Sequence, residues 1–318
     1  MITPFWFRNF NLFAVLLLPL SAAYFLLSKV FFIPRLFCGK ISKTPVISIE
    51  KSYLGAAETT PFVREIAKYL GAPVIVPGRG RGSKARASDS AREAGVPAKI
   101  LSASGIDVYI GNAPENISAI DYAESKVPAI VLDGAWNGAK NGISILFFDE
   151  SAGNSFLLPA GPMRETPRSG VRRCDAVLLE HNNAAAANLR ILKVAKKAKK
   201  PVFFARCELD ATGLFGKYVA FASGDANVFF DALRNVISIR VVERVPFRGN
   251  HFYTRDEIVK LFRLAKKYDA RLVCSENDWN KLPRNIQQKV RFVPKKVTLQ
   301  PNFYVWLEKK LGVENEEG

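Results

Sequence analysis

From residue 43 onward, short runs of apolar and β-branched residues alternate with longer stretches of helical periodicity. Residues 45–49, 72–76, 107–110, 129–132 and 143–148 read as buried strands. A second series of strands is expected at 175–179, 202–205, 218–222, 237–242, 271–274 and 290–294. Helical patterns over 61–70, 184–200 and 254–267 fall between them. Thr60 is placed to cap the first of these, with Pro61 at its first helical position. Strands alternating with helices predict an α/β protein with mainly parallel, doubly wound sheets. The number of strands suggests two lobes, 39–170 and 171–318, meeting near residues 166–173.

The first segment breaks this pattern. Residues 9–28 carry no charge, and 12–27 are almost wholly apolar apart from Ser21. About 20 such residues cross a bilayer core, and Pro19 is tolerated there. Arg8 precedes the run, and Lys29, Arg35, Lys40 and Lys43 follow it. The expectation is an N-terminal membrane helix within residues 1–38, with the body on the cytoplasmic side of the inner membrane. Two other readings are a cleaved signal peptide and a hydrophobic hairpin lying in the membrane interface. The first fits poorly, because Ser21, Ala22 and Ala23 lie inside the apolar run.

Composition narrows the picture. Of 318 residues 48% are apolar, which fits a folded chain rather than a disordered one. A net charge of +17 implies attraction to polyanions, either anionic headgroups or nucleic acid. Five lysines within 193–200 read as a solvated helix face or a membrane contact. No aromatic residues interleave them and no reader module is visible, so nucleic acid is not the expected partner. Cys38, Cys174, Cys207 and Cys274 form no C-x-x-C pair, which argues against zinc and against a disulfide framework. His181 and His251 are the sole histidines.

Motifs then point to a family. Phe156-Leu-Leu-Pro-Ala-Gly-Pro-Met-Arg-Glu165, following Gly153-Asn154, is very similar to the Leu-Leu-Pro-Ala-Gly-Pro-Leu-Arg-Glu signature of the tetraacyldisaccharide 4'-kinases. Gly55, Thr60 and Pro61 stand where that family has its Gly-Gly-Thr-Gly-Lys-Thr-Pro phosphate loop. Leu132-Asp-Gly-Ala-Trp-Asn137 resembles its Asp-Asp-Gly motif, and Arg79-Gly80 its Ser-Arg-Gly loop. Ser88-Asp89 falls at its Gly-Asp-Glu-Pro, Pro246 through Thr254 at its Pro-Phe-Pro-Asp-His-His, and Ser275-Glu-Asn-Asp278 at its Thr-Glu-Lys-Asp. The resemblance covers roughly residues 12–310.

The resemblance implies a P-loop-like fold. It implies transfer of the ATP γ-phosphate, with Mg2+, to the 4' hydroxyl of an acylated disaccharide 1-phosphate at the inner membrane. Asp89 and His251 match the catalytic positions. Gly55, Glu58, Thr59 and Thr60 match the nucleotide loop, and Thr60 and Asp133 the metal site. Arg79, Arg164 and Glu165 match positions near the lipid substrate. Glu58 and Thr59 stand where the loop has its last glycine and its lysine. A carboxylate about 4 Å from a phosphate charge costs ~4 kcal/mol at an effective dielectric of ~20. Lys51 and Lys84 flank the motif segments as substitute cations. The alternative is a catalytically inactive homologue that binds lipid or protein partners at the membrane.

Overall fold

The computed structural model describes residues 4–7, 11–37, 41–54, 58–77, 83–84, 95–111, 116–118, 127–134, 142–149, 153–180, 189–224 and 226–312. Gly55, Arg79 and Asp89 lie outside these residues. The chain divides into two compact units. The first comprises Met1–Ala85, Ser104–Cys207 and Val297–Gly318; the second comprises Arg86–Ala103 and Glu208–Lys296.

The first unit is built on a nine-stranded sheet of order β13-β8-β7-β6-β1-β5-β2-β4-β3. Its strands are β1 (Val46–Lys51), β2 (Val74–Val76), β3 (Ser83–Lys84), β4 (Val108–Ile110), β5 (Ile130–Asp133), β6 (Ile143–Phe148), β7 (Ala176–Glu180), β8 (Val202–Leu209) and β13 (Lys295–Leu299). The pairings from β8 through to β4 are parallel, and β3 runs antiparallel to β4. These strands read as continuous apolar runs because helices cover both faces. Helix α3 (Thr60–Leu70) buries Phe62, Val63, Ile66 and Ala67 as one stripe. It stops at Gly71, whose φ of 61° is left-handed.

The second unit holds a four-stranded, all-parallel sheet of order β10-β9-β11-β12. These are β9 (Gly216–Ser223), β10 (Ile239–Phe247), β11 (Arg271–Ser275) and β12 (Arg291–Val293). Alternate residues of β9 serve opposite faces. Tyr218, Ala220 and Ala222 cluster with Phe229, Phe230 and Leu233 of helix α7 (Ala226–Arg234). Val219 and Phe221 cluster with Ile258, Leu261 and Ala265 of helix α8 (Arg255–Lys267).

Three expectations need correction. The domain boundary does not fall at 170/171. Residues 167–173 form helix α5 (Pro167–Arg173), capped by Thr166, and α5 joins β6 to β7 within one sheet. The chain leaves the first unit after Cys207 and returns at Val297. Thr60 is not the cap of α3 but its first residue; its hydroxyl bonds elsewhere.

The third correction concerns the membrane helix. Among the described residues no helix is long and apolar enough to cross a membrane. The apolar run is split into α1 (Leu12–Leu16) and α2 (Leu18–Phe37), and α2 itself contains Lys29, Pro34 and Arg35. One side of this segment is polar-bonded to the protein body. Ser21 Oγ donates to Leu157 O (2.9 Å) and accepts from Ala160 N (3.1 Å), while Tyr24 Oη donates to Arg164 O (3.0 Å).

Candidate active site

Strand order places a ligand crevice beside β1. From β1 the chain builds outward through β2 and β4 and comes back with β5, then continues on the other side through β6, β7 and β8. Ligands of open α/β sheets sit beyond the carboxyl ends of strands at such a reversal. Lys51 ends β1, Asp133 ends β5, and Asp149 follows β6. The phosphate-loop segment leads from β1 into α3 at the same edge.

Asp133 organises this edge. Its Oδ1 accepts from Thr59 Oγ1 at 2.6 Å and its Oδ2 from Thr60 Oγ1 at 2.8 Å. All three side chains are buried. Burial pushes the Asp133 carboxyl up, while the two threonine hydroxyls and Lys51 oppose that rise. Burial likewise pushes the Lys51 ammonium down, and the Asp149, Glu58 and Asp133 carboxylates push it back up. Leu132 points to the other face, fully buried with Val46, Ile75, Ile117 and Ile130. An aspartate there would be an uncompensated buried charge, which gives a packing reason for leucine at that motif position.

The opposite face of β1 carries an ion-pair network. Glu50 is 2% exposed and accepts from Arg173 Nη1 at 2.5 Å, and Ser48 Oγ donates to it at 3.0 Å. Arg173 also grips Glu165, with Nη2 at 2.7 Å and Nε at 3.1 Å from Oε1. Burial pushes the Glu50 carboxyl up and Arg173 counters it. Glu165 is thus committed to Arg173. The Arg164 side chain is exposed, while its backbone N–H donates to Ser52 O at 2.7 Å.

The signature around Pro159 is a scaffold. Leu54 N donates to Pro162 O (2.8 Å), Asn154 Nδ2 to Ala160 O (3.1 Å), and Trp6 Nε1 to Pro159 O (3.0 Å). It therefore braces the phosphate-loop strand on one side and the N-terminal helices on the other.

In the second unit His251 is half-buried. Its Nε2 lies 3.0 Å from Glu257 Oε2, and its ring stacks on Phe247 at 4.8 Å. The carboxylate seen beside His251 is therefore Glu257, at a position not singled out in the sequence. Thr254 and Glu257 form a capping box at the start of α8, a spacing that could have revealed it. The Ser275–Asp278 motif is also structural. Asp278, 1% exposed, accepts from Ser223 N (2.9 Å), Ser275 Oγ (2.7 Å) and Lys281 Nζ (3.2 Å). Burial opposes its ionisation, but Lys281 and these donors hold the carboxyl below the usual range. A cavity of about 350 Å³ in this unit is lined by Lys99, Trp279, Asn280 and Arg284 and by none of the expected site residues.

A family model described as tetraacyldisaccharide-1-P 4'-kinase (LpxK) matches residues 13–312. The tetraacyldisaccharide 4'-kinase of Maricaulis maris is 35% identical over 143 residues, 45% of this chain and 42% of that protein. That of Hyphomonas neptunium is 29% identical over 208 residues, 64% of this chain and 60% of its own length. The matched stretches thus span less than two thirds of both relatives. LpxK from Aquifex aeolicus, crystallised in an "apo" form in complex with ATP, covers 95% of this chain and 99% of its own, with a TM-score of 0.68 at 19% identity. At that identity the likeness establishes the fold. By the family match over nearly its whole length, this chain belongs to the tetraacyldisaccharide-1-P 4'-kinase family.

Proposed function

We propose that this protein is a tetraacyldisaccharide 4'-kinase, transferring the γ-phosphate of ATP to the 4' hydroxyl of tetraacyldisaccharide 1-phosphate. The observation that carries the reading is the Thr60–Asp133 pair at the strand reversal of a family chain. One carboxylate and one hydroxyl suit Mg2+, which keeps several waters and takes its other ligands from phosphates. Among the described residues no cluster of three His, Cys, Asp or Glu side chains could hold a metal. By resemblance, Thr60 and Asp133 are the residues that would hold magnesium, which supplies charge neutralisation to the phosphates when bound.

In the transfer, the 4' oxygen bonds to the γ-phosphorus as the bond to the ADP oxygen breaks. His251, oriented by Glu257, takes the hydroxyl proton, a role it shares with Asp89 by resemblance. Arg164 and Arg79 are assigned to the substrate phosphate. The exposed leucines of α1 and α2 supply an apolar surface for the inner membrane, where the acylated acceptor resides. The cytoplasmic face of that membrane is the proposed location, where the chain's net positive charge meets anionic headgroups. The inactive alternative rests on Glu58 and Thr59 in the phosphate loop alone.

The test is transfer of labelled phosphate from Mg-ATP to tetraacyldisaccharide 1-phosphate by the full chain in detergent. Asp133→Asn and His251→Ala are each expected to lower turnover by about 100-fold or more, the scale of one lost metal ligand or one lost base. Absence of turnover in a sample that melts cooperatively would refute the reading.

A further inference from the structure

The loop that would wrap the triphosphate carries Thr59 where the family has its lysine, and Thr59 is already bonded to Asp133. Strand register brings another cation to the same place. Ile49 pairs with Asp133 across β1 and β5, and Lys51 lies two residues further along β1. Residues two apart share a face of the sheet, so Lys51 and Asp133 project on the same side. That is the side covered by α3, because Phe62 of α3 packs at 4.6 Å on Phe147, the register partner of Lys51.

Lys51 is half-buried, with Nζ 5.7 Å from the centre of the Tyr53 ring. The carboxylates of Glu58, Asp133 and Asp149 and the guanidinium of Arg164 all act on it electrostatically. Glu50, one residue earlier, faces the opposite side, where it pairs with Arg173.

We propose that Lys51 takes over the charge of the missing loop lysine, meeting the β- and γ-phosphate oxygens of the nucleotide from the end of β1 rather than from the start of α3. The inference rests on the kinase reading above and deepens it. A lysine is a compact point charge on a flexible stem, so its Cα need not occupy the family position to serve the same oxygens. Glu58, the carboxylate that would otherwise repel a triphosphate, also acts on this charge electrostatically.

The experiment is calorimetric titration of the full chain in detergent with Mg-ATP, Mg-ADP and adenosine. Wild type is compared with Lys51→Ala, Lys51→Met, which keeps most of the stem's packing, and Lys51→Arg. Mg-ATP affinity is expected to fall about 10- to 100-fold in the Ala and Met variants, the span for losing one charge-assisted hydrogen bond. Adenosine affinity is expected to be unchanged, and Lys51→Arg to keep most of the Mg-ATP affinity. A Met variant that binds Mg-ATP like wild type, or that loses adenosine equally, overturns the proposal and leaves the kinase reading standing. A folded wild type that binds no Mg-ATP overturns both.

Discussion

Glu257 shows how one side chain serves two neighbours. Its Oε2 accepts from Thr254 N at 2.8 Å and from Thr254 Oγ1 at 2.9 Å, and it faces His251. The Thr254 backbone N–H, then His251 and the Thr254 hydroxyl, hold the Glu257 carboxyl down at about 2. An unfolded glutamate titrates near about 4.3. A depressed carboxylate contributes stability that is fully present above the unfolded value and is lost as pH falls from about 5 toward 2. The group is partly open to solvent, and screening limits this to about 1 kcal/mol or less. Glu257→Gln is expected to be less stable than wild type at pH 7 in urea unfolding, with the gap closing toward pH 2.5. A gap that stays constant across that range would count against the assignment. The residues of the candidate site were largely nameable from motif matches. The partners they bond to were not, because hydrogen bonds such as Thr59–Asp133 join positions 74 residues apart.

The signature loop between β6 and α5 is an element whose shape depends on close backbone approach. A Cβ on Gly161 would lie 2.5 Å from Phe156 O and would also meet the Asn154 side chain. Neither can retreat, since Phe156 O accepts from Met163 N at 3.0 Å and Asn154 Oδ1 accepts from Phe156 N at 3.0 Å. Gly161→Ala is expected to destabilise the protein by about 1–3 kcal/mol, the cost of overpacking a fixed site, read as a lower unfolding midpoint. An unchanged midpoint would mean the loop is looser than these bonds imply. Strands were the elements most legible in the sequence. The expected run 143–148 matches β6 residue for residue, because a buried parallel strand is a continuous apolar run bounded by polar residues. Helix α5 was hidden because Thr166-Pro167 reads equally as a linker and as a cap followed by proline.

At the scale of the molecule, charge and apolar exposure act together. Leu12 is 66% exposed, Phe13 69% and Leu16 65%, while the opposite side of the segment is hydrogen-bonded to the signature loop through Ser21 and Tyr24. That one-sided arrangement suits insertion into a membrane interface better than a span. The net charge of +17 adds attraction to anionic headgroups, which salt screens. Co-flotation with vesicles containing anionic lipid is expected, weaker at high salt and weaker again in Leu12→Ser/Phe13→Ser/Leu16→Ser. Flotation of the triple variant equal to wild type would place the contact elsewhere.

Local pattern alone determined the α/β class, most strands and the family, because burial of a parallel sheet and the shape of a signature loop are written in contiguous residues. The number of lobes was also legible, but where they divide was not. The return of β13 to the edge of the first sheet is a contact between distant parts of the chain. So is the docking of the apolar N-terminus, which hydrogen-bonds to residues 157–164. Tertiary structure likewise decided where Lys51 lies. Sequence places Lys51 eight residues before Thr59, and only the register of β1 against β5 turns that separation into a shared face with Asp133.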